Sequence, residues 1–146
     1  MSLIVDNNVA AEFFCESTPD LQPLRQAVYS STCPTCRLYY GGDLRREYFR
    51  SEKVRRKLKL LDQAGRAKAV SDAAVDKKAA EVAPKCVSDD PHVIALAIVS
   101  GARLLCSRDQ ALHTDFGNPQ LIHSPRGYVY QNASHKHLIR RCCQGR

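Results

Sequence analysis

Short apolar runs and longer amphipathic stretches take turns along the chain. Residues 2–5, 35–40, 67–70 and 103–107 are brief apolar-rich runs bounded by polar or turn-forming residues, and they read as strands. Residues 120–123 and 128–130 are weaker candidates for the same role. Helical patterns lie between them. Residues 8–16 put Val9, Ala10 and Phe13 on one face, and a second helix runs to residue 29 behind Pro19 and Pro23, with Asp20 as its expected cap. Gly41-Gly42 breaks the chain before a helix over residues 44–50, for which Asp43 is the expected cap. Ser51 caps the next helix, which carries Val54, Leu58 and Leu61 at helical spacing and stops at Gly65. Ser71-Asp72 opens a polar helix that Pro84 ends. The clearest helix begins at Asp90-Pro91, sets Val93, Ile94, Ala97 and Ile98 toward the core, and closes at Gly101. Residues 110–116 and 134–142 give the last two helices.

Strands that alternate with helices predict an α/β fold around a mostly parallel sheet. The 146 residues suit one compact domain spanning 1–146, with short connections and no internal repeat. The most apolar stretch, residues 93–99, is far too short to cross a bilayer. No charged leader followed by a long apolar run opens the chain, so the expectation is a cytoplasmic protein without a membrane partner. Seven cysteines, an odd number without a secretory signal, are expected to be reduced thiols.

The candidate chemistry sits where strands give way to helices. Asp6 follows the first strand, Asp90 opens the apolar helix, and Asp109 follows the strand over residues 103–107. Each could be a plain N-cap, accepting from the free N–H groups of a first helical turn. Together they carry more, because the carboxyl ends of parallel strands share one edge of the sheet, where binding crevices form. Carboxylates gathered there repel one another unless protonated or bound to a cation. Hard oxygen donors select Mg²⁺ or Mn²⁺ over Zn²⁺. Glu47 adds a fourth acid on the same helical face as Leu44, and it reads equally as a metal-site acid or as one half of an ordinary ion pair.

The net charge of +7 favours a polyanionic partner, above all nucleic acid. Arg45, Arg46, Arg50, Lys53, Arg55, Arg56, Lys57 and Lys59 crowd the two helices after Gly42, interleaved with Tyr48 and Phe49. Such a run either binds phosphates or is a solvated face, and both rings are expected in the core.

The set Ile4-Val5-Asp6-x-Asn8, Leu44-x-x-Glu47, Asp90-Pro-His-Val-Ile-Ala-Leu-Ala97 and Leu105-Cys-Ser107-Arg-Asp109 resembles the PIN-domain nucleases over nearly the whole chain. The resemblance implies a three-layer α/β/α sandwich with a central, mostly parallel sheet. It implies a metal site made by Asp6, Glu47, Asp90 and Asp109, with Asp43 competing for the place of Glu47. Asp115, just before Phe116, matches a further family acid and joins the catalytic set. Asn8 and Ser107 match small polar residues beside the metals, and with Arg45, Arg46 and Arg50 they form the expected substrate contacts. Asp89, one residue off the pattern, reads as a group behind the ligands or a surface acid. The implied activity is hydrolysis of RNA phosphodiester bonds by a water activated at Mg²⁺ or Mn²⁺. A toxin of this family would add an inhibitory protein partner over the cleft and a homodimer, although the stretch beyond Phe116 is longer and more basic than in the toxin-like members. The rival from another class is a catalytically silent PIN-like module that binds RNA or a protein.

Other signals weigh less. Cys33-Pro-Thr-Cys36 has the spacing of half a zinc knuckle without a second spaced pair, and it supports only a weaker third reading as a zinc-bearing nucleic-acid-binding protein. Cys86 and Cys106 are expected to be small buried apolar residues, and His92 a surface histidine.

Overall fold

In the computed structural model, which describes residues 2–29 and 35–139, five strands form one sheet. They are β1 (Ser2–Val5), β2 (Arg37–Tyr40), β3 (Ala67–Ala69), β4 (Leu104–Cys106) and β5 (Tyr128–Tyr130). Their order is β3-β2-β1-β4-β5, and all four pairings are parallel. Parallel strands need crossover connections, and helices supply them here. These are α1 (Ala10–Cys15), α2 (Gln22–Tyr29), α3 (Gly42–Phe49), α4 (Glu52–Gln63), α5 (Asp72–Val82), α6 (Pro91–Ser100) and α7 (Gln110–Phe116). Helices cover the sheet on both sides, so the architecture is the expected three-layer α/β/α sandwich. The cover explains why the central strands read as unbroken apolar runs: Leu3, Ile4, Val5, Leu104 and Leu105 are all fully buried.

The strand order places a switch point at β1. The chain steps outward from β1 to β2 and β3, then returns to lay β4 on the other side of β1. Val5 lies opposite Cys106 in that pairing, and the Asp6 amide donates to the Cys106 carbonyl at 2.9 Å. The first residues past the two strands are therefore neighbours across a crevice at the carboxyl edge.

Most of the expected helices form as read. Ser51 accepts from the Val54 amide at the start of α4, and Ser71 accepts from Ala74 at the start of α5. Val54, Leu58 and Leu61 are buried. The first helical stretch opens with a 3-10 turn, Asn7–Val9, before α1. α6 is apolar on all sides, and every residue from His92 to Ala97 is buried, as befits a helix packed between other layers. Its end at Gly101 is left-handed, with φ of 81°, a conformation that suits glycine.

Three expectations are corrected. Asp43 does not cap α3: the helix starts two residues earlier than expected, and its first amide, on Gly42, is satisfied by the Asp72 carboxylate at 2.8 Å. Residues 120–123 form turns instead of a strand, because the Asn118 carbonyl accepts from the amides of Leu121 and Ile122, and the Asn118 side chain from Gln120. The cysteines are not all reduced, since Cys36 is disulfide-bonded. Cys15, Cys86 and Cys106 are free thiols, of which Cys106 is buried and Cys86 only half-buried. Cys33 and the adjacent Cys142 and Cys143 lie outside the described residues, as does the end of the expected terminal helix. Among the described residues no helix is long and apolar enough to cross a membrane.

Gly42 adopts a φ of +60°, and a Cβ there would come within 2.6 Å of the Val75 side chain. Gly42→Ala is expected to cost roughly 1–3 kcal/mol, from backbone strain and displacement of α5, read as a lower midpoint of urea unfolding.

Candidate active site

Asp6, at the end of β1, is only 5% exposed. Its Oδ1 accepts from the Asn7 amide at 2.8 Å, and its Oδ2 accepts from the Ser107 hydroxyl at 2.7 Å. The same Ser107 oxygen accepts from the Asp109 amide at 3.1 Å. One buried hydroxyl thus ties the acids of two neighbouring strand ends together. The loop carrying it is held twice more. His113 Nε2 donates to the Ser107 carbonyl at 2.6 Å, and Arg108 grips Glu12 of α1 through both nitrogens at 2.6 and 3.1 Å. That guanidinium holds the Glu12 carboxyl below its usual range.

Asp109 is a helix cap as well as a candidate ligand. Its Oδ1 accepts from the amides of Ala111 and Leu112 in the first turn of α7. Asp90 differs: it occupies the cap position of α6, but its side chain makes no capping bond. Pro91 brings no N–H to the first helical position, which removes one of the donors a cap would serve. Burial raises the Asp90 carboxyl above its ordinary value, and the charges of Asp6, Asp109 and Glu47 push it further, against the pull of His92. The four acids that sequence reasoning singled out for a metal therefore share one electrostatic neighbourhood.

Glu47 reaches this neighbourhood from α3. Its Oε1 accepts from His92 Nε2 at 3.2 Å, and His92 Nδ1 stands 4.0 Å from Asp90 Oδ1. His92 is not the surface residue expected; it is buried at 8% exposure between two of the acids. The signal was present in the unbroken apolar run after it, since a helix buried on all sides leaves its first turn little surface. Asp43, the competitor of Glu47, turns instead to Arg46 at 2.6 Å on the surface. Below Glu47, the buried Tyr48 hydroxyl donates to the Val5 carbonyl, fixing α3 to the end of β1.

Asp115 stands apart from the other candidate acids. Both of its oxygens are taken by backbone amides, Val87 and Ser88, each at 2.9 Å. Ser88 Oγ in turn accepts from the Asp90 amide at 3.3 Å. Asp115 is a positioning residue that anchors the loop delivering Asp90. Asp89 is exposed, and so is Asn8, two residues past Asp6. Arg45 and Arg46 are committed to α5, pairing with Asp72 at 2.8 Å and Asp76 at 2.9 Å.

The donor set is all oxygen apart from His92, the chemistry that suits a hard divalent cation. Among the described residues, however, no three His, Cys, Asp or Glu side chains stand close enough to hold a metal ion as they are placed. Asp90 lies within electrostatic reach of Asp6, Asp109 and Glu47. Compared with known protein families, with curated proteins and with solved structures, the chain matches none.

Two outcomes follow from this geometry. Asp115→Asn puts an NH₂ against a backbone amide and is expected to cost about 1–3 kcal/mol, measured by urea unfolding. Asp90→Asn should stabilise the metal-free protein. A carboxyl raised in the folded state binds more protons than in the unfolded chain, so stability falls as pH rises through its range and stays lower above it. The gain in melting temperature should be present at neutral pH and absent below the ordinary aspartate range; a loss at neutral pH would contradict it.

Proposed function

We propose that this chain is a divalent-metal-dependent endoribonuclease that hydrolyses RNA phosphodiester bonds, with Asp6, Glu47, Asp90 and Asp109 holding Mg²⁺ or Mn²⁺. The observation that carries the reading is Asp90: an aspartate at a helix start, free of the capping bond that would explain it, half-buried and within electrostatic reach of Asp6, Asp109 and Glu47. Like charges kept together in a partly buried crevice cost stability, and a bound cation offsets that cost. The resemblance of the same four positions to the PIN-domain nucleases supports the assignment.

When bound, the cation would lower the pKa of a water and neutralise charge on the leaving oxygen. The chain supplies the alignment. Ser107 holds the Asp6 carboxylate and the Asp109 backbone in register. His92 orients Glu47, and Asp115 fixes the approach to Asp90. No side-chain nucleophile is required.

A silent module that binds RNA or a protein is the second reading. It is favoured by the commitment of Asp6 and Asp109 oxygens to backbone amides. An inhibitory protein over the crevice and a homodimer would accompany a toxin role, and they belong to the proposal only in that form.

A purified sample incubated with single-stranded RNA should cleave it with Mn²⁺ or Mg²⁺ and stop with EDTA. Asp6→Asn and Asp90→Asn should each lower the rate by more than about a hundredfold, since each ligand contributes several kcal/mol of transition-state stabilisation, while keeping the circular dichroism of the parent. Unchanged cleavage in both variants would end the proposal, and RNA binding without any cleavage would favour the silent module.

A further inference from the structure

We propose that the outer face of α3 and α4 is a second nucleic-acid site, separate from the acidic crevice, in which Phe49 is the stacking platform for an unpaired base. The inference rests on the ribonuclease reading only in naming RNA as the strand.

α3 carries two opposed faces. Arg45 and Phe49 are four residues apart and share one side, while Glu47, two residues from each, turns to His92. Phe49 is 40% exposed although the adjacent Tyr48 is fully buried. It departs from the expectation of a core ring. Its position is nonetheless fixed: the Arg45 guanidinium lies 5.1 Å from the ring centroid and is itself held by Asp72 at 2.8 Å. A large ring kept in water on a rigid support serves binding better than packing.

Two hollows meet at this Arg45–Phe49 pair. One, of about 490 Å³, continues along α4 to Arg55 and Lys59. The other, of about 420 Å³, opens toward Arg50. Both fall within the usual range of ligand clefts, about 300–1,000 Å³. The charged residues divide into two groups. Arg45, Arg46 and Arg56 are paired with Asp72, Asp76 and Glu52. Arg50, Arg55 and Lys59 have no carboxylate partner among the described residues, and they flank the ring. Unpaired cations that line the same hollows as an exposed ring suit a single strand, whose phosphates need charge and whose base needs a flat face. A duplex keeps its bases stacked inside and cannot use the ring. An acidic peptide would need the cations alone.

The test is fluorescence anisotropy of a labelled single-stranded RNA oligomer in EDTA, so that no cleavage intervenes. Phe49→Leu should weaken binding about tenfold. Arg55→Gln with Lys59→Gln should weaken it and reduce the slope of log affinity against log salt by about 1.4, for two phosphate contacts. The duplex of the same sequence and an acidic peptide should bind less tightly than the strand. Affinity unchanged in Phe49→Leu overturns the proposal, as does equal binding of the duplex or the peptide. If Phe49→Leu lowers the melting temperature, the Arg55 and Lys59 variant and the duplex comparison still decide. Binding in EDTA by a protein that cleaves nothing would sink the nuclease reading and leave this one standing. Cleavage by a protein whose binding ignores Phe49 would do the reverse.

Discussion

The hydroxyl of Ser107 sits between two aspartates, donating to Asp6 at 2.7 Å and accepting the Asp109 amide at 3.1 Å. That contact exists only because β1 and β4 are neighbours in a sheet whose order reverses at β1. Distant parts of the chain meet there, since Asp6 and Ser107 are 101 residues apart. The register that puts Val5 opposite Cys106 makes their successors adjacent, and a slip of one residue would turn every side chain of the strand to the other face. The juxtaposition of the two aspartates is therefore a consequence of the pairing.

Each acid reaches the crevice on a separate support. Tyr48 ties α3 to the Val5 carbonyl, so Glu47 approaches from one side. Asp115 and Ser88 relay the position of α7 to the amide of Asp90. Arg108 and Glu12 bind the loop after β4 to α1. Removing any one support would move one acid relative to the others without unfolding the sheet. Burial first, and then the charges of Asp6, Asp109 and Glu47, raise the Asp90 carboxyl above its ordinary value.

The fold was legible because burial on both faces of a parallel sheet leaves a plain mark: Leu3-Ile4-Val5 and Leu104-Leu105 are apolar without alternation. Asp6, Asp90 and Asp109 were legible for a related reason, as acids at strand ends and a helix start. The roles were harder to see. A cap and a ligand use the same residue type in the same place, and only geometry separates Asp109, which caps, from Asp90, which does not. Asp115 lies in sequence among the acids but spends both oxygens on a loop that the sequence does not show to be near. His92 could have been read as buried from the apolar run that follows it, whereas the exposure of Phe49 depends on what packs above α3, and no local pattern records that. Arg45 and Arg46, read as contacts for a substrate, are held by aspartates 27 and 30 residues further along.

The direct measurement is anomalous diffraction from a crystal of the protein soaked in Mn²⁺. The account predicts a manganese peak in the crevice beyond β1 and β4, within ligand distance of Asp6 and Asp90 and lost in Asp90→Asn. A crystal with manganese bound elsewhere or nowhere would contradict it.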